Sequence, residues 1–378
     1  MRIILDAMGG DHAPGEIIRG AVLAADEYDA DITLVGNKNN IEEFARENRL
    51  DISRFALVHT DIEVSMEDNP LSVRREKKDS SMCVGLRLLA DGDGDAFVSA
   101  GNTGALFTAS SLIVRKIRGI HRAAIASIIP VSPPVLLLDA GANVTVTATY
   151  LEHFAIMGGV YMRCVMGTQN PRVGLLNNGA EACKGTPLQT EAYVLLSKSE
   201  YINFVGNIEA HRVGQNSCDV LVADGFTGNV LLKSIEGMGK LLSTSLKSCF
   251  EANAVTIFAG LLMKNRLREF KRRFDPSTYG GAPFLGLNRP VIKAHGSSNA
   301  RAIKNAVGQA ISYSKTRVTK EIADELKRIT HSDGEEEAGC TAGESEEVEG
   351  LPDTEFGRQQ KEKERSQNER VASGNIRI

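Results

Sequence analysis

Six short polar turns hold most of the residues that could do chemistry. Each sets glycine beside asparagine, aspartate or serine at the end of an apolar run. They are IILDAMGGDH at Ile3–His12, FVSAGNTG at Phe97–Gly104 and LLLDAGANV at Leu136–Val144, then VGLLNNGAE at Val173–Glu181, VLVADGFTGN at Val220–Asn229 and VIKAHGSSN at Val291–Asn299. Each apolar run reads as a buried parallel strand, and each turn as the entry to a helix. Gathered on one edge of a sheet, their backbone N–H groups and helix N-termini would form a basin for anionic oxygen.

Within these turns the residue types narrow the chemistry. In Gly101-Asn102-Thr103-Gly104 the glycines permit close backbone approach, and Asn102 and Thr103 either cap a helix or donate to an oxyanion. Gly225–Asn229 repeats the arrangement as GFTGN. Lys184, closing the run NNGAEACK, is either a compact cation for phosphate or a developing oxyanion, or a solvated surface lysine. His12 and His295 sit in the first and last turns, where a histidine donates to phosphate, shuttles a proton or is purely structural. His153, inside a helical pattern, reads as structural. No GxSxG elbow or Ser/His/Asp order is present, which removes a serine acyl-enzyme route.

Nucleotide and metal signatures fail one by one. Leu241 stands where a P-loop needs Ser or Thr after Gly239-Lys240. No GxGxxG follows the first strand, and Asp91–Asp95 lacks the glutamate that closes a calcium loop. The six cysteines form no CxxC or Cys/His group, so reduced thiols are expected and neither a metal nor a cofactor is.

The elements that must position these turns alternate between strand and helix. Asp31–Gly36 and Phe55–Thr60 read as further strands. Helical periodicity fits Gly15–Glu27, Ile41–Arg49, Met82–Ala90, Gly104–Lys116, Thr147–Cys164 and Thr227–Leu246. The fold class is therefore α/β, a mainly parallel sheet layered by helices in two lobes, with a break in rhythm near Pro130–Pro134. One domain is expected over 1–330, with a protruding helical hairpin at about 247–279. A charged tail over 331–378 carries too little apolar area to offset its ordering entropy and is expected to be disordered.

The formal net charge of −4 over 378 residues argues against a general nucleic-acid binder. The N-terminus enters a strand directly, so no signal peptide is expected, and no apolar run reaches the ~18 residues of a membrane span. Ala254–Phe274 is different in kind. Val255, Ile257, Phe258, Leu261 and Leu262 are followed by Lys264, Arg266 and Arg268. That sequence suits contact with anionic lipid or an acidic protein, and equally a hairpin packed at a dimer interface.

Taken together, the motifs resemble the bacterial phosphate acyltransferase family. The likeness runs from Met1 to about Lys320 through DAMGGDHAP, SVRREKKDSSM, SAGNTGAL, LDAGAN, NNGAE with Lys184, ADGFTGNV, GGAPFLG and AHGSSNA; the tail beyond Ser332 falls outside it. The resemblance implies a fold akin to phosphotransacetylases and isocitrate-type dehydrogenases, built as a homodimer. It implies transfer of an acyl group from acyl carrier protein to inorganic phosphate, the acyl phosphate passing to a membrane glycerol-3-phosphate acyltransferase. It also implies a cytoplasmic protein with peripheral membrane contact.

In that reaction phosphate is itself the nucleophile, so the protein must supply positioning and oxyanion stabilisation. Lys184 and Asn229 are the residues expected nearest the chemistry. Gly101, Asn102, Thr103, Gly104, Gly225, Gly228, Ser297 and Ser298 are expected to hold phosphate or the pantetheine arm, with Asp6, Gly9, His12, Asn143 and Asn177 at the rim. The rival readings are a short-chain phosphotransacetylase using acyl-CoA, a dehydrogenase of the related fold, and a non-enzymatic carrier-protein or membrane scaffold.

Overall fold

The computed structural model describes the backbone of residues 1–273 and 280–339, with side chains throughout except at 254, 267–273 and 330–339. In chain order the elements are β1 (Arg2–Asp6), α1 (Gly15–Tyr28), β2 (Asp31–Gly36), α2 (Lys38–Glu47), β3 (Ala56–His59), α3 (Ser81–Asp91), β4 (Ala96–Ser99) and α4 (Thr103–Ile113). Then come β5 (Ala124–Ile129), β6 (Val135–Leu138), α5 (Ala148–Cys164), β7 (Arg172–Asn177), α6 (Pro187–Lys198), β8 (Asn203–Glu209) and β9 (Val220–Val222). The last are α7 (Gly225–Phe250), α8 (Ala254–Arg273), β10 (Ala282–Leu285), β11 (Val291–Lys293), α9 (Ala300–Lys315) and α10 (Val318–Gly339).

Local sequence accounts for the boundaries. In α1 the buried positions Ile17, Ile18, Ala21, Ala24 and Ala25 recur at helical spacing, and Asp29 ends the helix in the left-handed region. Ser80 caps α3 by accepting from the Cys83 N–H, and Gly92, at φ +90°, closes it. Asp224 caps α7 by accepting from the Thr227 N–H at 2.8 Å. β6, the run VLLL, is buried at every position, as a central strand covered on both faces should be.

The strands form one sheet in the order β3-β2-β1-β4-β11-β10-β5-β6-β9-β7-β8. Pairing is parallel except across β11–β10, β10–β5 and β5–β6. Three antiparallel steps reverse the strand sense, so β6, β9, β7 and β8 run opposite to β1, β4 and β11. The six turns therefore do not share one edge: three lie at one edge of the sheet and three at the other. The reversal includes the β5–β6 turn, where Pro130–Pro134 breaks the sequence rhythm.

One apolar cluster spans a whole face, from Ile4 and Phe97 through Phe284 to Leu137 and Leu221. The opposite face carries two clusters, one under α1 and α9 and one under α5 and α10. The chain divides into two units, Met1–Ile329 and Thr330–Ile378. Of the second, the description covers helical backbone to Gly339; the tail from 340 and the hairpin segment 274–279 lie outside the described residues.

Candidate active site

The turns after β1, β4 and β11 converge. Asp6, buried at the end of β1, accepts from Ser81 Oγ at 2.7 Å and from Ser99 Oγ at 2.6 Å. Burial pushes its carboxyl up against the lowering effect of those hydroxyls. Ser99 Oγ in turn accepts from the Gly101 N–H at 3.0 Å. A Cβ on Gly9 would fall 2.6 Å from Asp6 Oδ2 and 2.7 Å from Gly101 N, so only glycine lets these two turns touch.

Lys293, the last residue of β11, is 8% exposed and donates to the carbonyls of Ala100, at 3.1 Å, and Ala294. Burial lowers its pKa to about 8, with Asp11 and Asp6 opposing the shift and Lys233 adding to it. His295 follows on the way to α9. Its Nδ1 accepts from the Ser297 N–H at 3.2 Å and lies 2.9 Å from Ser297 Oγ. Burial, then Lys233 and Lys293, depress its pKa, so the ring is neutral at pH 7 and this contact assigns its proton to Nε2. Ser298 is 6% exposed, and its Oγ is buried without a hydrogen-bond partner.

The turns after β6 and β9 engage one another instead. Asp139 accepts from the N–H groups of Ile125 (3.0 Å), Gly141 (3.2 Å), Ala142 (3.1 Å) and Asn143 (2.6 Å), and from Asn143 Nδ2 at 2.9 Å. Asn143 Nδ2 also reaches the Ala123 carbonyl at 2.8 Å, and the Gly225 N–H donates to the Asn143 carbonyl at 2.7 Å. A Cβ on Gly228 would overlap the Asp139 carbonyl oxygen. Gly225 and Gly228 thus let the first turn of α7 seat against the 139–143 turn. Asn229 is the exception: its exposed side chain packs beside Gly141 and faces open space.

A cleft of about 1470 Å³ joins the two systems. Its polar end is lined by Asp11, Thr103, Lys293, His295 and Ser298 from one side, and by Gly141 and Asn229 from the other. From there it continues between β5 and the α7–α8 pair, past Ile125, Leu232, Ile235, Phe250, Ile257 and Leu261. Lys233, Lys240, Lys247 and Lys264 also line it.

The expected site residues do not all meet. Asn229, Thr103, Ser297 and Ser298 line the cleft. Lys184 does not: it lies in an exposed loop, its carbonyl accepting from Asn177 Nδ2 at 3.0 Å. Asn177 is thereby engaged in holding that loop. Asn102 caps α4 through the Ala105 N–H at 3.0 Å and donates to the Met66 carbonyl at 2.8 Å, so both ends of its amide are engaged. Gly101 and Gly9 back the Asp6 cluster, Gly104 sits against Pro70, and His12 is exposed away from the cleft lining. On α8, Val255 and Leu262 are 79% and 74% exposed, and Ile257, Phe258, Leu261, Lys264 and Arg266 are exposed too; the Arg268 side chain lies outside the described residues.

Sequence reasoning missed Lys293. Its signal was a lysine inside the otherwise apolar run VIKA, a charge placed where a strand is buried.

The family described as "Fatty acid synthesis protein" matches residues 1–321. The phosphate acyltransferase of Thermoanaerobacterium thermosaccharolyticum is 42% identical over 330 residues, covering 87% of this chain and 98% of its own. That of Clostridioides difficile is 43% identical over 324 residues, covering 85% and 95%. The chain belongs to the phosphate acyltransferase family. It is by that membership an acyltransferase. Among solved structures it is similar to the EutD phosphotransacetylase from Staphylococcus aureus, with a TM-score of 0.53 at 16% identity over 84% of this chain and 94% of that one. A phosphotransacetylase from Streptococcus pyogenes matches at the same TM-score and identity over 86% and 94%. At that identity the likeness is one of fold. No helix among the described residues is long and apolar enough to cross a membrane.

Proposed function

We propose that this chain transfers a fatty acyl group from acyl carrier protein to inorganic phosphate, giving an acyl phosphate for phospholipid synthesis. The observation that carries this reading is the cleft itself, whose polar end with a buried lysine runs into an apolar arm under α7 and α8. A long chain on a thioester needs such an arm, whereas an acetyl group does not. The lysines along the arm suit an acidic carrier protein.

The reaction balances without a cofactor. An oxygen of hydrogen phosphate attacks the thioester carbonyl, the C–O bond forms, and the tetrahedral oxyanion collapses with cleavage of the C–S bond. The proton lost by hydrogen phosphate ends on the carrier thiol. In this proposal the Asn229 amide donates to the oxyanion, a role supported by its exposure in the cleft lining. Lys184 does not reach the cleft of its own chain, so in this proposal a second copy, in a homodimer, brings its exposed loop to the site. The exposed apolar and basic residues of α8 support peripheral contact with an anionic membrane, where a glycerol-3-phosphate acyltransferase would consume the product.

The test mixes purified protein, phosphate and either palmitoyl-carrier protein or acetyl-CoA, with hydroxylamine to trap acyl phosphate. Phosphate-dependent hydroxamate from the long-chain carrier substrate is the expected result. Product from acetyl-CoA alone would replace this reading with a short-chain phosphotransacetylase.

A further inference from the structure

The phosphate nucleophile has several turns to choose from, and the geometry favours one. Among the cleft-lining groups of the first turn system, Lys293, His295 and Ser298 each hold an unengaged donor among the described residues. Lys293 uses two of its three N–H bonds, on the Ala100 and Ala294 carbonyls. His295 has its Nδ1 engaged by Ser297, which leaves Nε2–H as a donor. The Ser298 hydroxyl is buried with no partner among the described residues, an unfavourable arrangement that a bound acceptor would relieve. By contrast Asn102 is committed to capping, and the Gly101 N–H to Ser99.

We propose that Lys293, His295 and Ser298 form the seat of inorganic phosphate, with Lys293 as the cation that binds it. This rests on the acyl-transfer reading for its catalytic meaning, but the binding itself does not. Side chains rather than the α9 helix end supply the donors, because Glu16 already accepts from the Ala300 N–H at 2.6 Å and Asn299 from the Ala302 N–H at 3.0 Å. Three flexible or rotatable donors around a tetrahedral anion suit phosphate, and a buried ammonium bonded to two carbonyls gains an anionic partner.

The charged surroundings set the pH behaviour. The charged groups around Lys293 and His295 are Asp11 beside Gly296, Asp6 behind the β1 turn, and Lys233 with Glu236 from α7, Glu236 acting on His295. Asp11 and Asp6 hold the lysine charged; Lys233 and burial discharge it. Phosphate affinity is accordingly expected to fall as pH rises through about 8, and to recover part of that loss in Lys293→Arg, whose guanidinium stays protonated.

The experiment measures binding of inorganic phosphate to the full chain by calorimetry without any acyl donor, alongside steady-state KM for phosphate and for the acyl donor. Lys293→Met is expected to weaken phosphate binding at least tenfold and to raise the phosphate KM by a similar factor, with the acyl-donor KM unchanged. Ser298→Asp, which places a carboxylate in the seat and removes no protein hydrogen bond, is expected to abolish phosphate binding, and it decides the matter if Lys293→Met does not fold. Folded Ser298→Asp and Lys293→Met proteins that bind phosphate as the unaltered chain does would overturn the proposal. Acyl phosphate formation with unchanged phosphate KM in both variants would also overturn it while leaving the acyl-transfer reading standing. Phosphate binding lost in both variants of a chain that makes no acyl phosphate would uphold the seat and remove the reading.

Discussion

The two turn systems of this sheet share one sequence signature and differ in what they do with it. After β6 and β9 the polar groups satisfy each other, since Asp139 takes five N–H bonds and Asn143 bridges two segments, and after β7 Asn177 holds its own loop. After β1, β4 and β11 the core of the cluster is likewise closed, around Asp6, but Lys293, His295 and Ser298, which line a cleft, each keep a donor that no described residue engages. The first arrangement is a joint that seats α7; the second is a place where a ligand can bind. Strand, then glycine, then a polar residue does not distinguish a joint from a site. The unengaged donor does.

The sharpest way to break this comparison is to attack the joint. Asp139→Ala would orphan four backbone N–H groups, each costing about 1–3 kcal/mol when buried and unpaired. The expected outcome in urea unfolding is a loss of several kcal/mol, near the whole stability of an ordinary domain. A folded Asp139→Ala chain of near-normal stability would mean that the second system is not a joint.

Asn229 tests a residue of the joint whose side chain lines the cleft. Asn229→Ala is expected to lower turnover roughly 100- to 1,000-fold while leaving phosphate binding and melting temperature unchanged. Unimpaired turnover would remove Asn229 from the chemistry. Lys184→Ala is expected to lower turnover on a comparable scale, and mixing it with Asn229→Ala chains sharpens the point. In a symmetric dimer whose sites draw Lys184 from one chain and Asn229 from the other, random mixing restores roughly a quarter of normal activity. No recovery, with each variant inactive and exchange of chains demonstrated, would place both residues in one chain's site or neither in any.

How much of this could be read from residues alone follows from what each feature depends on. Alternating strands and helices were legible because local periodicity reports local burial, and Asp31–Gly36 appears as a strand with those same ends. The reversal of strand sense was not legible, because β5 and β10 look like any apolar run and only pairing tells which way they point. Asn229 was legible as part of a helix-opening turn. Lys184 and Asn229 are both expected nearest the chemistry from the resemblance, but only Asn229 lines the cleft, while Lys184 lies in an exposed loop. Lys293 was overlooked because a lysine within a strand is usually solvated at its tip, and burial here is a tertiary fact.

A smaller effect contrasts the cleft with the packed side of the second half. His153 is half-buried, stacked on His121 with ring centroids 5.2 Å apart, and its pKa is lowered to about 4 by burial and then by His121. In the unfolded chain a histidine titrates near 6.5, so between about 6.5 and 4 the unfolded state binds the extra proton. Stability is therefore expected to fall as pH drops through that window, and His153→Phe to flatten the slope. An unchanged melting-temperature profile in that variant would show that His153 does not couple folding to acid.

The central claim is that hydrogen phosphate itself is acylated in the cleft. Phosphorus NMR on a mixture of the protein, palmitoyl-carrier protein and inorganic phosphate tests it directly, with released carrier thiol counted in the same tube. An acyl phosphate resonance that grows in step with the thiol is the predicted result. Thiol release with no acyl phosphate, under conditions where added acyl phosphate persists, would make the chain a thioesterase and contradict the claim.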